Sequence, residues 1–113
     1  MMTNEAKKWL FDVREACVAV ESFVAGKSLA DYRASELVRS ATERKFEIIG
    51  EAMSKLRDRE PEVFAEITEG HAIVGFRNRL IHGYDSVDNA IVWDVVTTKL
   101  PTLRAAVERL LAE

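Results

Sequence analysis

The side chains best suited to chemistry are concentrated in residues 76–84. This segment holds two arginines, an amide, an imidazole and a phenol, at Arg77, Asn78, Arg79, His82 and Tyr84. Histidine transfers protons near neutral pH, and arginine is a permanent cation that donates two parallel hydrogen bonds to phosphate oxygens. The combination of residue types therefore favours phosphoryl chemistry.

RNA is a suitable substrate for such a set because its 2′-hydroxyl supplies the nucleophile. Strand cleavage then needs a base for the hydroxyl proton, an acid for the leaving oxygen, and a cation that stabilises the charged phosphorane. His82 and Arg77 could fill these roles.

Helix geometry restricts how these groups can meet. Residues five apart on a regular helix, such as Arg77 and His82, point about 140° apart, whereas Asn78 and His82 share a face. Two arrangements would bring Arg77 and His82 together: the last turn unwinds before Gly83, or a two-fold homodimer places both copies of the segment around one cleft. The dimer would also supply one histidine as acid and one as base.

A structural interpretation of the same residues stays open. A histidine in the last turn of a helix interacts favourably with the helix carboxyl end, and flanking arginines often form surface ion pairs. His71, near a helix start, is expected to be structural.

The sequence predicts no metal site and no bound cofactor. One cysteine and two histidines eleven positions apart fit none of the usual zinc spacings. Glu47 and Glu51 lie one helical turn apart and could bind a divalent ion or pair with the arginines of residues 76–84, although a solvated stripe or a structural ion pair is commoner. Neither a glycine-rich phosphate loop nor a serine nucleophile elbow is present, which disfavours an ATPase and a serine hydrolase.

The elements that position these groups are predicted to be helices. A length of 113 residues predicts one domain over 1–113, and five glycines and two prolines are too few for a many-turned β-fold. Apolar residues recur at spacings of three and four over 3–25, 35–60 and 71–81, and again from about residue 89 to the end. Residues 27–33 are predicted to be a polar connection, and 61–67 a short turn or helix opened by Pro61. The result is an all-α bundle of four or five helices.

Three details of these helices can be predicted. The segment around Gly50 is apolar on more than one face, so it should contact two neighbours, and Gly50 would permit close helix approach. Asp88 should cap the final helix, and Pro101 should kink or divide it. Trp93, with Val92 and Val96, is expected to pack in the core, with a dimer seam as the alternative.

Composition limits the setting in which the chain acts. Sixteen Lys and Arg against nineteen Asp and Glu give a formal charge of -3 and exclude a global basic field for nucleic acid, so any phosphate site must be local. Cys17 lies on an apolar helix stripe and is expected to be buried. Without a signal peptide pattern or an 18-residue apolar run, we expect a soluble, cytoplasmic protein that does not enter a membrane.

The pattern Arg77-Asn78, three residues, His82, one residue, Tyr84 resembles the signature of the HepT-like branch of the HEPN superfamily. Residues 38–41 and 46–52 are similar to the second helix of that family, and residues 87–88, 92–93 and 100–101 resemble its distal helices. The similarity covers nearly the whole chain.

This resemblance implies a HEPN-type homodimer with the active cleft at its interface. It implies the toxin of a two-gene toxin–antitoxin module, a metal-independent ribonuclease that cuts cellular RNA through Arg77 and His82, with Asn78 in support. The antitoxin would be a small MntA-like nucleotidyltransferase that transfers AMP from ATP onto Tyr84, so this chain itself would use no cofactor. Arg79 and Arg44 are candidates for contacts with RNA.

A second hypothesis belongs to another functional class. The chain would be a non-catalytic, nucleotide-binding or regulatory subunit that docks a nucleotidyltransferase through the same cleft. Tyr84 would then be a contact and not a site of modification.

Overall fold

The computed structural model describes residues 2–83 and 87–113, and within these ranges the chain is helical and contains no strand. The helices are α1 (Asn4–Val24), α2 (Leu29–Ala34), α3 (Glu36–Arg59), α4 (Pro61–Ala65), α5 (Gly70–His82), α6 (Asn89–Asp94) and α7 (Leu100–Leu111). A π-helical segment (Val95–Lys99) joins α6 to α7 without leaving helical dihedral angles. The described residues thus form two short helices, α2 and α4, and four long helical segments, of which the last comprises α6, the π-helical segment and α7. The all-α prediction is confirmed.

Helix α1 lies centrally and packs against α3 and α7. Its buried stripe has the predicted spacing of three and four residues at Ala6, Leu10, Val13, Cys17 and Val20, and Trp9 and Ala16 are buried beside it. The Cys17 thiol is buried, as predicted, and this burial raises its pKa to about 12. The helix ends before Gly26, whose φ of 73° is the left-handed conformation that favours glycine after a helix.

One threonine ties the start of α1 to the end of α3. The Thr3 hydroxyl accepts the backbone N–H of Ala6 at 3.0 Å, which caps α1. The same hydroxyl donates to the Glu60 carboxylate at 2.8 Å, at the junction of α3 and α4. Thr3 thus joins a local cap to a contact that is distant in sequence.

Helix α2 was not predicted from the sequence, so the interpretation of residues 27–33 as a polar connection is wrong. The Ser28 hydroxyl accepts the Asp31 N–H, and the Asp31 carboxylate accepts the Ser28 N–H, which forms a capping box. Tyr32 is fully buried and lies at a tilt against Trp93, with ring centroids 5.6 Å apart. Tyr32 is the only fully buried residue of this short helix, so its ring supplies the main contact that holds α2 on the bundle.

Helix α3 contacts α1 on one side and α5 on the other, as its apolar centre predicted. Phe46 of α3 meets Phe76 of α5 edge to face, with ring centroids 5.1 Å apart. Pro61 begins α4, as expected. His71 at the start of α5 is exposed, and its ring lies nearly perpendicular to that of Phe64, with the ring centroids 4.9 Å apart.

Pro101 lies in the continuous helical segment formed by α6, the π-helical turn and α7, and it distorts this segment without ending it. A proline ring clashes with the carbonyl four residues earlier, and the chain here widens into a π-helical turn in which Leu100 N–H donates to Val95 O. Hydroxyls of Thr97 and Thr98 donate to carbonyls of the preceding turn, at 3.0 Å to Trp93 O and 2.7 Å to Asp94 O. The predicted break is therefore confirmed as a local widening.

The neighbourhood of Trp93 faces the interior. Val92 and Val96 are buried, and Trp93 is half-buried against Tyr32, so core packing is confirmed for these residues. No helix in residues 2–83 or 87–113 is long and apolar enough to cross a membrane.

Candidate active site

Helix α5 carries the residues of the motif and stays regular to its end. It runs through His82, and the Gly83 N–H donates to Arg79 O at 2.9 Å. The last turn therefore does not unwind before Gly83, and the first of the two predicted arrangements is wrong. The hydrogen bond to Gly83 keeps the imidazole of His82 on a helical turn.

Arg77 is positioned by the contact between α3 and α5. A Cβ atom added to Gly50 would lie 2.2 Å from the Arg77 Cβ and 2.3 Å from its Cγ, so only glycine leaves room for this side chain. The close approach predicted at Gly50 is confirmed, and its partner is the stem of Arg77. The arginine is half-buried as a result.

The guanidinium of Arg77 has few partners. Its Nη1 donates to the Asn78 Oδ1 at 3.3 Å. Its Nε is buried and has no hydrogen-bond partner among the described residues. A buried donor without an acceptor costs free energy and needs a specific explanation.

Asn78, Arg79 and His82 are all exposed. Asn78 and His82 are four residues apart on a regular helix and so share a face. Arg77 and His82 are separated by about 140° around the helix axis and about 7.5 Å along it. One chain therefore brings Asn78 close to both residues but does not direct Arg77 and His82 at one point.

A cavity of about 400 Å³ opens beside His82, between the end of α5 and α6. Its apolar walls are formed by Phe76, Leu80, Val87, Ile91 and Val92. Its polar residues, Arg79, His82 and Asp88, are exposed and surround the opening. We call this space the α5–α6 cavity; Arg77 does not line it.

The cavity was not predicted from the sequence. Asp88 was recognised only as a cap, a role that is confirmed because its Oδ1 accepts the Ala90 N–H at 2.9 Å. Apolar residues in 76–80 and 87–92 were the available signal, but whether they face each other depends on how α6 lies relative to α5.

The remaining charged candidates form ion pairs within α3. Arg44 is exposed and pairs with Glu47 at 3.2 Å, and Glu51 pairs with Lys55 at 3.7 Å. The two carboxylates thus form ion pairs within α3 and not with the arginines of residues 76–84. In the part of the chain that the structure describes, no three potential metal ligands lie together. Tyr84 lies outside the described residues.

Comparison with known proteins adds to this geometry. A family model described as Ribonuclease HepT-like matches residues 13–110. The chain belongs to the HepT-like ribonuclease family. This confirms the resemblance noted in the sequence, to the HepT-like branch of the HEPN superfamily.

Individual relatives agree along nearly their full length. A Methanocaldococcus jannaschii protein named "Putative RNase MJ1380" is 30% identical over 96% of this chain and 98% of its own length. A Thermococcus cleftensis protein named "Probable ribonuclease HepT" is 29% identical over 96% of this chain and 98% of its own. No solved structure gives a significant match.

Proposed function

We propose that this chain is a metal-independent endoribonuclease and the toxin of a HepT/MntA-like toxin–antitoxin pair. The observation that carries the proposal is family membership over residues 13–110 together with an exposed His82 one turn from Asn78 on a regular helix. Relatives that match over nearly their full length are named as ribonucleases. The segment also offers the cation and the proton-transfer group that RNA cleavage needs.

The proposed reaction is an attack of the RNA 2′-oxygen on the adjacent phosphorus. A neutral imidazole of His82 takes the 2′-hydroxyl proton while the bond from the 2′-oxygen to phosphorus forms. The bond from phosphorus to the 5′-oxygen breaks, and an imidazolium protonates that leaving oxygen. The products are a 2′,3′-cyclic phosphate and a 5′-hydroxyl, so no water and no metal enters this step.

Arg77 is proposed to stabilise the charge on the phosphorane. Its buried Nε lacks an acceptor, and a non-bridging phosphate oxygen would supply one after a small movement of the side chain. Asn78, which accepts from Arg77 Nη1, would hold the guanidinium in place. Arg79, exposed and without an ion-pair partner among the described residues, would add a phosphate contact, whereas Arg44 would first have to release Glu47.

A homodimer is part of the proposal because one chain does not direct Arg77 and His82 at the same point. Two copies of α5 facing each other across a two-fold axis would place two imidazoles and two guanidinium groups around one phosphate. One His82 would act as base and the other as acid.

Inhibition is proposed to occur by transfer of AMP from ATP onto Tyr84, catalysed by a small MntA-like nucleotidyltransferase. Tyr84 is two residues from His82 in sequence. An added nucleotide would bring bulk and negative charge next to the imidazole, which would exclude RNA by occlusion and by charge repulsion.

The two histidines of α5 provide a matched test of the chemistry. We expect His82→Ala to abolish growth inhibition and RNA cleavage, with the helical circular dichroism unchanged because His82 is exposed. His71→Ala removes the other imidazole, also exposed on the same helix, and should retain both properties. Unchanged toxicity in His82→Ala would contradict the proposed catalytic role.

Subunit mixing tests the shared cleft. If each site needs two copies of His82, coexpression of equal amounts of wild-type and His82→Ala chains leaves about one quarter of the dimers active. Independent sites in each chain would leave about one half of the activity. A sedimentation mass of one chain, 12.8 kDa, would refute the dimer directly.

Intact mass tests the proposed modification. After coexpression with a nucleotidyltransferase from a neighbouring gene, the wild-type chain should gain whole AMP units, and Tyr84→Phe should gain none. An unmodified wild-type mass would favour neutralisation by binding. If His82→Ala also had no effect on RNA cleavage, the regulatory-subunit hypothesis would be favoured instead.

A further inference from the structure

The apolar part of the α5–α6 cavity has no role in the reaction proposed above, although His82 and Arg79, which do have roles in it, line the cavity. Phe76, Leu80 and Val92 are buried and make an apolar floor, while the exposed residues surround the opening. A volume of about 400 Å³ falls within the usual range of small-molecule sites, which is roughly 300–1,000 Å³. An apolar floor with polar groups at its rim suits a flat, partly polar ring.

The two charged residues at the opening have opposite hydrogen-bonding abilities. Arg79 has only donors, and it has no ion-pair partner among the described residues. The carboxylate of Asp88 offers only acceptors; its Oδ1 caps α6, while its Oδ2 makes no hydrogen bond to the residues in 2–83 and 87–113. The ring that fits best would therefore present adjacent N–H donors on one edge and acceptors on another.

Guanine has these two edges. Its N1–H and N2–H₂ groups are neighbouring donors that a carboxylate can accept, and its O6 and N7 are acceptors that arginine contacts in a bidentate manner. Uracil presents one donor between two carbonyl acceptors, which a carboxylate repels. Proteins commonly read single-stranded RNA by splaying out a base and binding its edges.

We propose that the α5–α6 cavity binds a guanine base of single-stranded RNA and thereby selects the phosphate at which His82 catalyses the attack of the 2′-oxygen. This inference rests on the proposed ribonuclease function and adds a substrate preference to it. Because His82 lines the same cavity, a base seated there brings its own ribose and phosphate to the imidazole. Asp88 and Arg79 would be the specificity-determining residues. With guanine bound, Arg79 would contact the base in place of the phosphate contact proposed above.

The cleavage test uses oligodeoxynucleotides that contain a single ribonucleotide, so that only one phosphate can be cut. The four versions differ only in whether that residue is rG, rA, rC or rU. We expect the wild-type protein to cleave at rG at least tenfold faster than at rU. Asp88→Asn should bring this ratio close to one, because the amide replaces an acceptor with a donor while asparagine remains a good helix cap.

Asp94→Asn is the matched control. This substitution also removes one negative charge, here from the last residue of α6. Asp94 is exposed and does not line the cavity. The rG to rU ratio should be unchanged in this variant. Equal cleavage of all four oligonucleotides by the wild-type protein, or equal ratios in Asp88→Asn and Asp94→Asn, would overturn the inference and leave the ribonuclease proposal standing.

Binding gives a readout that does not depend on cleavage. Guanosine 3′-monophosphate should shift the backbone amide NMR signals of Leu80 and Ile91 at lower concentration than uridine 3′-monophosphate, and Asp88→Asn should remove this difference. If no oligonucleotide is cut but this binding is observed, the ribonuclease function fails and the base site stands. If neither nucleotide shifts these signals, the inference is overturned, whether or not RNA is cut.

Discussion

Substitution of Gly50 by alanine tests whether the contact between α3 and α5 positions Arg77. The new Cβ would lie 2.2 Å from the Arg77 Cβ, whereas carbon atoms in contact stay about 3.5–4.0 Å apart. The obstructing Cβ is fixed to the backbone of α5, so a change of side-chain rotamer cannot remove the clash. The two helices must therefore separate by about 1.5 Å at this point.

The expected loss of stability follows from two opposing effects. Forced overpacking in a core costs about 1–3 kcal/mol, and this large overlap belongs at the upper end. Alanine in place of glycine within a helix recovers about 1 kcal/mol. The net loss of about 2 kcal/mol should lower the Tm by about 8–10 °C for a chain of this size.

The effect on RNA cleavage should exceed the effect on stability. A displacement of about 1 Å in a positioned catalytic group can reduce the rate about 100-fold, and Arg77 would move by at least that distance. The reduced rate should be measured well below the Tm of the variant, so that folded protein is compared with folded protein.

Gly75→Ala is the control for this experiment. Gly75 is also helical, but nothing lies within 4 Å of a Cβ built there, so alanine should stabilise the fold by about 0.5–1 kcal/mol and leave cleavage unchanged. Thermal unfolding and cleavage rates are measured for both variants. A Gly50→Ala protein as stable and as active as Gly75→Ala would refute the proposed role of this contact.

Three further predictions concern other parts of the fold. Thr3→Ala should cost about 1 kcal/mol in urea unfolding, because it removes a helix cap and also the contact with Glu60. The Cys17 thiol, with a pKa near 12, should not react with a thiol reagent at pH 8 until the chain is unfolded; rapid reaction of the native protein would show that it is accessible. The capping hydrogen bonds from Ser28 lower the pKa of Asp31 in the folded protein. Their contribution to the free energy of unfolding is therefore complete above the pKa that Asp31 has in the unfolded chain, and it is lost as the pH falls through the lower pKa of the folded state. Asp31→Asn should flatten this acid dependence, and an unchanged acid transition would contradict it.

The sequence predicted the features that depend on local patterns. The long helices appear close to their expected bounds because their apolar residues recur at helical spacing, as in α1 (Asn4–Val24). Helix α2 was missed because its only strongly buried residue is Tyr32, whose burial depends on Trp93, about sixty residues away. The Ser28 and Asp31 capping box was the available signal for it.

The geometry of the site depends on contacts that a single segment does not reveal. Gly50 indicated a close approach, but the sequence did not identify Arg77 as the residue it admits. The motif likewise left open whether the helix unwinds before Gly83, and the structure shows that it does not. Pro101 predicted a distortion of the last helix. That the distortion is a π-helical turn depends on how α6 and α7 pack.

The most direct test of the central claim is the chemistry of the RNA ends produced by the purified, unmodified protein in the presence of EDTA. We predict cleavage to a 2′,3′-cyclic phosphate and a 5′-hydroxyl, lost in His82→Ala and retained in His71→Ala. Cleavage that disappears with EDTA, that leaves a 3′-hydroxyl and a 5′-phosphate, or that persists in His82→Ala would contradict the proposed mechanism.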